Sequence, residues 1–155
     1  MEAQEVIQFL NATQDDLSEL ISLLADDELG KVREQNAAEI DSAYQIAFQE
    51  ITSDKNNELI VGKRNGKVIA VLQVTYIPGL TLRGSKRALI EGVRVSSQLR
   101  GQGTGRKLFY FAFEQAKKRG CKVVQLTTNK TRTDAHRFYE SVGFKGTHEG
   151  FKFAL

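Results

Sequence analysis

The sequence predicts an α/β (α+β) domain whose elements follow the order β-α-α-β-β-β-α-β-α-β. Two observations carry this prediction: an Asn65-Gly66 turn between two strand-like runs, and a strand, a helix and a strand in succession over residues 87–128. The first is typical of an antiparallel hairpin, and the second of two parallel strands joined by a right-handed crossover. We therefore expect a mixed, mostly antiparallel sheet of about six to seven strands.

The length and composition fit one domain, which we place over residues 1–155, with 41% hydrophobic residues for its core. The single cysteine excludes an internal disulfide, and with only two histidines beside it we expect no metal site. The N-terminal sequence lacks the pattern of a secretory signal, and no apolar run reaches the ~20 residues of a membrane span. We therefore expect a cytoplasmic protein that contacts no membrane.

Hydrophobic spacing defines the N-terminal elements. Residues 6–10 are strand-like, and Thr13 is placed to cap a first helix with apolar residues at helical spacing, namely Leu17, Leu20, Ile21 and Leu24. Residues 40–51 keep the same period and predict a second amphipathic helix. Residues 59–64 and 67–76 then form the predicted hairpin.

The C-terminal elements include the predicted parallel strands, residues 87–95 and 122–128. A glycine-rich turn and a helix of about fifteen residues, closed by Gly120, lie between them. A short helix over residues 134–142 and a strand over 147–154 complete the order.

Charge is divided unevenly along the chain, although the net charge is only +3. Up to Leu82 there are 6 basic and 14 acidic residues, and after it 16 basic and 5 acidic ones. The halves thus carry −8 and +11. This split suggests an anionic partner for the C-terminal half, or else a dipolar surface without function.

Three glycines alternate in the run LRGQGTGRKL between a predicted strand and a predicted helix: Gly101, Gly103 and Gly105. Bare backbone N–H groups there can converge on a phosphate at the positive end of a helix dipole. The dinucleotide motif GxGxxG does not fit, because Arg106 stands where its third glycine should be. The P-loop motif GxxxxGK[ST] does not fit either, because Arg106 rather than glycine precedes Lys107. The loop predicts an anion site, with a tight structural turn as the alternative.

The run from Arg100 to Gly105 resembles the central motif of the GNAT superfamily of N-acetyltransferases: Arg or Gln, two residues, Gly, one residue, then Gly or Ala. The preceding strand IEGVRVSSQL is similar to the family's fourth strand, and DAHRFYESVGF to its following motif. The resemblance covers the whole chain. It implies a single GNAT-type domain with helices on both faces of the sheet and a parallel strand pair at the cofactor slot.

The resemblance implies acetyl-CoA as cosubstrate, whose phosphates suit the basic half of the chain. It assigns the pyrophosphate to the glycine loop, the pantetheine to the strand before it, and the oxyanion to a backbone N–H near Val93. Arg100 either pairs with phosphate or only orders the loop. The implied cofactor-binding residues are Val93, Val95, Arg100, Gly101, Gln102, Gly103, Thr104, Gly105, Arg106 and Asn129.

Two side chains are candidates for proton transfer. A primary amine is only about one part in a thousand neutral at pH 7, so it must lose a proton before it attacks the thioester. Glu91 stands where some GNAT enzymes carry a carboxylate, and Tyr139 matches the family tyrosine that meets the leaving CoA thiolate. The alternatives are a solvated strand glutamate and a core tyrosine. We expect direct attack of a primary amine in a ternary complex.

The acceptor, a small molecule or a peptide, stays open because two charge patterns conflict. A basic patch of Arg83, Lys86 and Arg87 favours an acceptor with its own anionic group. Carboxylates around the first two helices favour a cationic amine; they are Asp26, Asp27, Glu28, Glu34, Glu39 and Asp41.

Two other functions compete with catalysis. One is a nucleic-acid-binding regulator that uses the basic C-terminal half, and the other is an acyl-CoA sensor with the same fold. We expect no nucleic-acid partner, because the adjacent helix pair that a helix-turn-helix needs occurs only in the acidic half. Dimerisation is common in the family, so a homodimer is kept open. Cys121 is interpreted as a buried small hydrophobe.

Overall fold

The computed structural model describes residues 5–26 and 42–155. Its five strands are β1 (Gln8–Asn11), β2 (Asn57–Arg64), β3 (Lys67–Ile77), β4 (Lys86–Val95) and β5 (Cys121–Gln125). Its four longer helices are α1 (Leu17–Leu24), α2 (Ser42–Ser53), α3 (Thr104–Lys118) and α4 (Thr133–Val142). Short helical turns cover Gln14–Asp16, Thr81–Gly84 and Ser97–Leu99. No helix in the described ranges is long and apolar enough to cross a bilayer.

The strands form one mixed sheet in the order β1-β2-β3-β4-β5. Every neighbouring pair is antiparallel except β4 and β5, which are parallel. The predicted mixed, mostly antiparallel sheet with one parallel pair is therefore confirmed. The Asn65-Gly66 turn that joins β2 to β3 takes the predicted positive φ values of 51° and 76°.

The predicted count of about six to seven strands is wrong for the described residues, which form five. The prediction fails at residues 147–154, which lie in no strand and are exposed throughout. A strand requires a hydrogen-bonded partner as well as an alternating sequence, and this segment has none within the described chain.

Two apolar clusters lie on opposite faces of the sheet, as expected for helices on both faces. Alternate residues of β3 separate them, since Leu72 and Val74 belong to one cluster and Val71 to the other. The first cluster receives α3 and α4, and the second receives α1 and α2. The sheet is thus a two-sided scaffold whose C-terminal strands carry the glycine turn.

The start of α1 follows from its sequence. Asp16, in the first turn, accepts a hydrogen bond from the Thr13 backbone N–H at 2.8 Å, a typical way to satisfy a helix terminus. The same buried carboxylate meets Lys63 Nζ of β2 at 2.6 Å. The predicted helix over residues 40–51 agrees with α2 from Ser42 onward, while its first two positions lie outside the described residues.

Candidate active site

Strand β4 contains a bulge at Gly92. Three residues of β3, 71–73, lie opposite four residues of β4, 91–94. Gly92 has a φ of 61°, which glycine adopts without strain. The extra residue shifts the alternation by one, so that Val93 and Val95 pack against the α3 side of the sheet. A bulge also removes a backbone segment from the regular ladder, and here it does so in the middle of the strand.

The parallel pair β4 and β5 is joined only at one end. Residues 86–89 of β4 pair with residues 121–125 of β5, whereas β4 continues to Val95. Residues 90–95 therefore have no strand partner on the β5 side within the described chain. Backbone N–H and C=O groups exposed in this way fit an extended ligand that carries amides of its own.

The glycine turn follows directly on this opening. Gly101 and Gly103 have φ values of 76° and 83°, in the left-handed region that favours glycine. Helix α3 begins at Thr104, which is buried, and continues for 15 residues. The free N–H groups of its first turn, together with the loop, form an arrangement suited to a phosphate.

Gly105 is required by close packing rather than by its backbone conformation. A Cβ at this position would lie 3.1 Å from Cζ of Phe138 and 3.7 Å from Cγ2 of Val95. The absent side chain thus lets the start of α3 approach both α4 and β4. The third glycine of the motif thus allows the glycine turn to lie against the helix that carries Tyr139.

Two arginines stabilise the glycine turn through hydrogen bonds to other parts of the protein. Arg100 Nη2 donates to the carbonyl oxygen of Asp26 at 2.8 Å, and its Nε donates to that of Val95 at 3.4 Å. Arg106 Nη1 donates to the carbonyl oxygen of Ser141 at 3.0 Å, and its Nη2 to the Ser141 hydroxyl at 3.1 Å. Both guanidinium groups therefore order the loop and its helix, which is one of the two roles considered for Arg100.

Asp26 contributes to the same bracing. Its carboxylate accepts hydrogen bonds from the backbone N–H and the hydroxyl of Ser97 at 2.8 and 3.1 Å, at the turn that leads into the glycine loop. Asp26 therefore connects the end of α1 to the loop instead of standing free for an acceptor. The other carboxylates of the predicted acidic group lie outside the described residues; they are Asp27, Glu28, Glu34, Glu39 and Asp41.

Tyr139 lies on α4 within an aromatic cluster. Its ring centroid is 5.6 to 6.0 Å from those of three phenylalanines: Phe109, Phe138 and Phe144. Burial raises the pKa of the phenol above its ordinary value, although the nearby Arg132 and Arg94 act in the opposite direction. The hydroxyl therefore keeps its proton at neutral pH, as a general acid must.

Glu91 lies on the opposite face of the sheet from Tyr139. Its partner across the ladder is Gln73, and directly opposed residues share a face. Gln73 and Gly92 line a cavity of about 200 Å³ between the sheet, α1 and α2. The exposed Glu91 side chain is therefore on the α1–α2 face, and Tyr139 packs on the α3–α4 face. The opening beside β4 lies between the two faces.

Asn129 closes a turn after β5. Its Oδ1 accepts hydrogen bonds from the backbone N–H and the hydroxyl of Thr131 at 2.9 and 2.8 Å. His136 Nε2 lies 3.1 Å from its carbonyl oxygen, which can only accept. These contacts fix the start of α4. In the glycine turn, Gln102 Nε2 donates a hydrogen bond to the carbonyl oxygen of Gln98 at 3.3 Å.

Other predicted groups lie away from the opening. Cys121 begins β5 at the end that is paired with β4, and burial raises the pKa of its thiol. The protonated, partly buried thiol matches the interpretation as a small hydrophobe. The basic patch is at the same end, where Lys86 Nζ donates to the carbonyl oxygen of Arg119 at 3.2 Å.

Sequence reasoning did not single out Gly92, Ser97 or Ser141. The bulge left a readable signal, since the apolar residues of β4 pass from Ile90 to Val93 with a glycine between them. The contacts of Ser97 and Ser141 join distant segments, and no local pattern reports them.

A model of the Acetyltransferase (GNAT) family matches residues 18–144. Aminoalkylphosphonate N-acetyltransferase of Salmonella typhimurium is 31% identical over 113 residues, which cover 73% of each chain. A solved structure described as a transcriptional regulator from Bacillus halodurans is 49% identical, with a TM-score of 0.93 over 97% of this chain and 100% of that one. Glucosamine-6-phosphate N-acetyltransferase from Arabidopsis thaliana shares the fold, with a TM-score of 0.79, 23% identity and coverage of 97% and 99%.

The predicted family, fold class and enzyme class are confirmed by these matches. The chain belongs to the GNAT acetyltransferase family, with acetyl-CoA as its cosubstrate.

Proposed function

We propose that this chain transfers the acetyl group of acetyl-CoA to a primary amine by direct attack in a ternary complex. The opening of β4 toward β5, between the bulge at Gly92 and the glycine turn, is the observation that carries the proposal. It offers an unpaired strand edge that leads into an anion-binding loop, which matches a cofactor with an amide-containing arm and a pyrophosphate.

The donor is proposed to bind as an added strand. The pantetheine amides pair with the free edge of β4 near Val93 and Val95, and Asn129 flanks the other side of the opening. The pyrophosphate accepts hydrogen bonds from the backbone N–H groups of the glycine turn. The residues proposed to contact the pyrophosphate are Arg100, Gly101, Gln102, Gly103, Thr104, Gly105 and Arg106.

The chemistry is proposed to proceed from one face of the sheet to the other. Glu91, directly or through water, takes the proton of the incoming ammonium on the α1–α2 face. The amine nitrogen then bonds to the thioester carbon while a backbone N–H near Val93 stabilises the oxyanion. The carbon–sulfur bond breaks as the phenol of Tyr139 gives its proton to the CoA thiolate. The nitrogen of the new amide then loses its extra proton, which returns to the Tyr139 phenolate through solvent, while Glu91 releases its own proton to bulk water.

The acceptor is proposed to be an amine on a short aliphatic chain. The cavity beside Gly92 is lined mostly by apolar side chains of α1, α2, β2 and β3, and Gln73 and Tyr44 are the lining residues that carry polar groups. The Salmonella typhimurium relative is named for aminoalkylphosphonates, which carry an amine on a short chain together with an anionic phosphonate. The basic patch near Lys86 lies at the other end of β4, so it does not by itself argue for an anionic acceptor at this cavity.

The test is thiol release from acetyl-CoA with a panel of aminoalkylphosphonates, aliphatic amines, aminoglycosides and peptides. We expect acetylation of at least one short-chain amine, with initial-rate lines that intersect as a ternary complex requires. Parallel lines would indicate an acetyl-enzyme and contradict direct attack. Duplex DNA serves as a parallel ligand, and salt-dependent DNA binding without acetyl transfer to any amine would favour the regulator instead.

A further inference from the structure

A network of polar side chains lies on the α1–α2 face of the sheet, beside the cavity. Its members are Asp54, between α2 and β2, Asn57 of β2, and Gln73 and Thr75 of β3. Asn57 Nδ2 donates to Asp54 Oδ2 at 2.8 Å. Asn57 Oδ1 accepts hydrogen bonds from Gln73 Nε2 at 3.2 Å and from the Thr75 hydroxyl at 2.7 Å. The network reaches the cavity at Gln73, which is one of its lining residues.

The carboxylate of Asp54 sets the direction of the bonds that lead to Gln73. An ionised carboxylate can only accept, so Asn57 turns its amide nitrogen toward Asp54 and its oxygen toward β3. Gln73 must then present its own nitrogen to that oxygen, because two carbonyl oxygens repel each other. Within the described residues Gln73 Oε1 accepts no hydrogen bond, and it is not fully buried. It is thus a free hydrogen-bond acceptor at the wall of the cavity.

Gln73 also lies beside the proposed base. It is directly opposite Glu91 across the ladder of β3 and β4. Residues opposed in this way share a face of the sheet, with Cβ atoms about 4.5–5.5 Å apart. Gly92, the next residue along β4, lines the same cavity. An amide oxygen and a carboxylate therefore occur side by side where the cavity meets the open part of β4.

An ammonium group that enters this cavity requires partners of this kind. It loses water among apolar side chains, and it carries three N–H donors and no acceptor. One ammonium can therefore bond to Gln73 Oε1 and to the Glu91 carboxylate at once. Tyr44 is the other lining residue with a polar group, and its phenol oxygen is a weaker acceptor than an amide oxygen.

We infer that Gln73 binds the ammonium of the acceptor through Oε1 and holds it beside Glu91, while Asn57 is the positioning residue that keeps the Gln73 amide in the required orientation. This assignment rests on the proposed function, because it gives the acceptor amine its place beside the proposed base. It favours primary amines. A charged tertiary amine has a single N–H and cannot bond to both groups.

The first test compares the steady-state kinetics of Gln73→Met and the wild type, with aminomethylphosphonate and butylamine as acceptors. Methionine keeps the length of the side chain but lacks the amide oxygen. We expect KM for the amine to rise about 10-fold while KM for acetyl-CoA stays unchanged. An unchanged amine KM in an active Gln73→Met protein would overturn the inference and leave the proposed acetyl transfer standing.

Thr75→Val is the matched control for this substitution. It removes the other hydrogen bond to Asn57 Oδ1 and leaves the Gln73 side chain in place, so its amine KM is expected to equal that of the wild type. An equal rise in Thr75→Val and Gln73→Met would show that the network only supports the fold, and it would contradict binding by Gln73.

The second test examines Asn57. Asn57→Leu removes the oxygen that orients the Gln73 amide, and the amine KM is expected to rise about 3-fold. Asn57→Asp keeps an oxygen for Gln73 Nε2 and is expected to restore the wild-type KM, although it loses the bond to Asp54. The same KM in both variants would contradict the positioning role.

A third measurement does not depend on turnover. The NMR signals of the Gln73 side-chain amide, assigned by their loss in Gln73→Met, are followed as butylamine is added to the protein saturated with desulfo-CoA. We expect a saturable shift, and a smaller one with dimethylbutylamine. If the wild type acetylates no amine but the shift appears, the proposed function fails and the ammonium site stands. Absence of the shift overturns the inference, whatever the turnover.

Discussion

The two edges of β4 differ in how far they are paired, and the donor site is proposed at the edge that is paired least. Toward β3 the strand is paired along its length, from Arg87 to Val95, with one interruption at Gly92. Toward β5 it is paired only as far as Leu89. The closed edge builds the core, whereas the open edge leaves backbone groups that a ligand can satisfy. A single strand thus carries both the scaffold and the proposed donor site.

The largest expected effect comes from closing the approach between α3 and α4. In Gly105→Val the added side chain meets Phe138 and Val95, so the start of α3 and the N–H groups proposed to bind phosphate are expected to move away from the open edge. We expect kcat/KM to fall about 1,000-fold, mostly through loss of acetyl-CoA binding, measured by steady-state kinetics and calorimetry.

Gly146→Ala is the matched control for this change, because a Cβ there meets nothing within 4 Å. Its activity is expected to equal that of the wild type. Unchanged acetyl-CoA affinity in a folded Gly105→Val protein would show that the donor does not use the α3 start.

Tyr139→Phe tests the proposed proton donor on the α3–α4 face of the sheet. The aromatic packing is retained and only the hydroxyl is removed, so kcat is expected to fall about 100-fold with little change in KM for acetyl-CoA. Because burial raises the pKa of the phenol above its ordinary value, wild-type activity should not decline through loss of this proton in the pH range where an ordinary tyrosine begins to ionise. If kcat and the affinity for acetyl-CoA fell by the same factor, the result would indicate that the Tyr139 side chain contributes to packing and not to proton transfer.

Glu91→Gln examines the α1–α2 face and is expected to have a smaller effect. We expect kcat/KM to fall about 10-fold at pH 7 and to recover as the pH approaches the amine's own pKa near ~10, where the acceptor needs no base. Glu114→Gln is the control, since Glu114 is exposed on α3 and pairs with Lys117 at 2.7 Å. The same loss at every pH would show that Glu91 is no proton acceptor.

Asp16→Asn changes a contact between the start of α1 and β2, away from the open edge of β4, and is expected to alter stability alone. Burial alone would raise the pKa of this carboxyl, but the hydrogen bond and charge of Lys63 and the Thr13 N–H outweigh it and hold the pKa below its usual value. Its ionised form therefore stabilises the fold at pH values above ~4, and this contribution is lost as the pH falls through the lowered pKa.

The substitution should lower the free energy of unfolding at pH 7 by about 1–3 kcal/mol and flatten its decline in acid, measured by urea unfolding at several pH values. Acetyl-CoA affinity should not change. A variant as stable as the wild type at pH 7 would show that the ionised Asp16 carboxylate does not stabilise the fold.

Local patterns predicted most of the fold. The Asn65-Gly66 turn, the capped start of α1 and the βαβ unit all depend on short-range chemistry that a sequence displays. The strand predicted over residues 147–154 does not form, because an alternating sequence such as that at Phe151 and Phe153 also needs a hydrogen-bonded partner, and the described chain provides none.

The candidate site shows the same division. The glycine motif indicated an anion site, but the sequence could not show that Gly105 is needed for contact with Phe138. Nor could it show that Asp26 binds Ser97, because such contacts join residues 71 positions apart. Residue type and spacing were enough to predict the candidate site residues. The contacts that position those residues could be identified only from the folded structure.

A donor site on the open edge of β4 is tested most directly by backbone hydrogen exchange with and without acetyl-CoA, read by mass spectrometry. We expect slower exchange at residues 90–95 and 101–106, the open edge of β4 and the glycine turn, while exchange in the ladder of β2 and β3 stays unchanged. Protection that appears elsewhere and leaves residues 90–95 unaffected would contradict a donor site on the open edge.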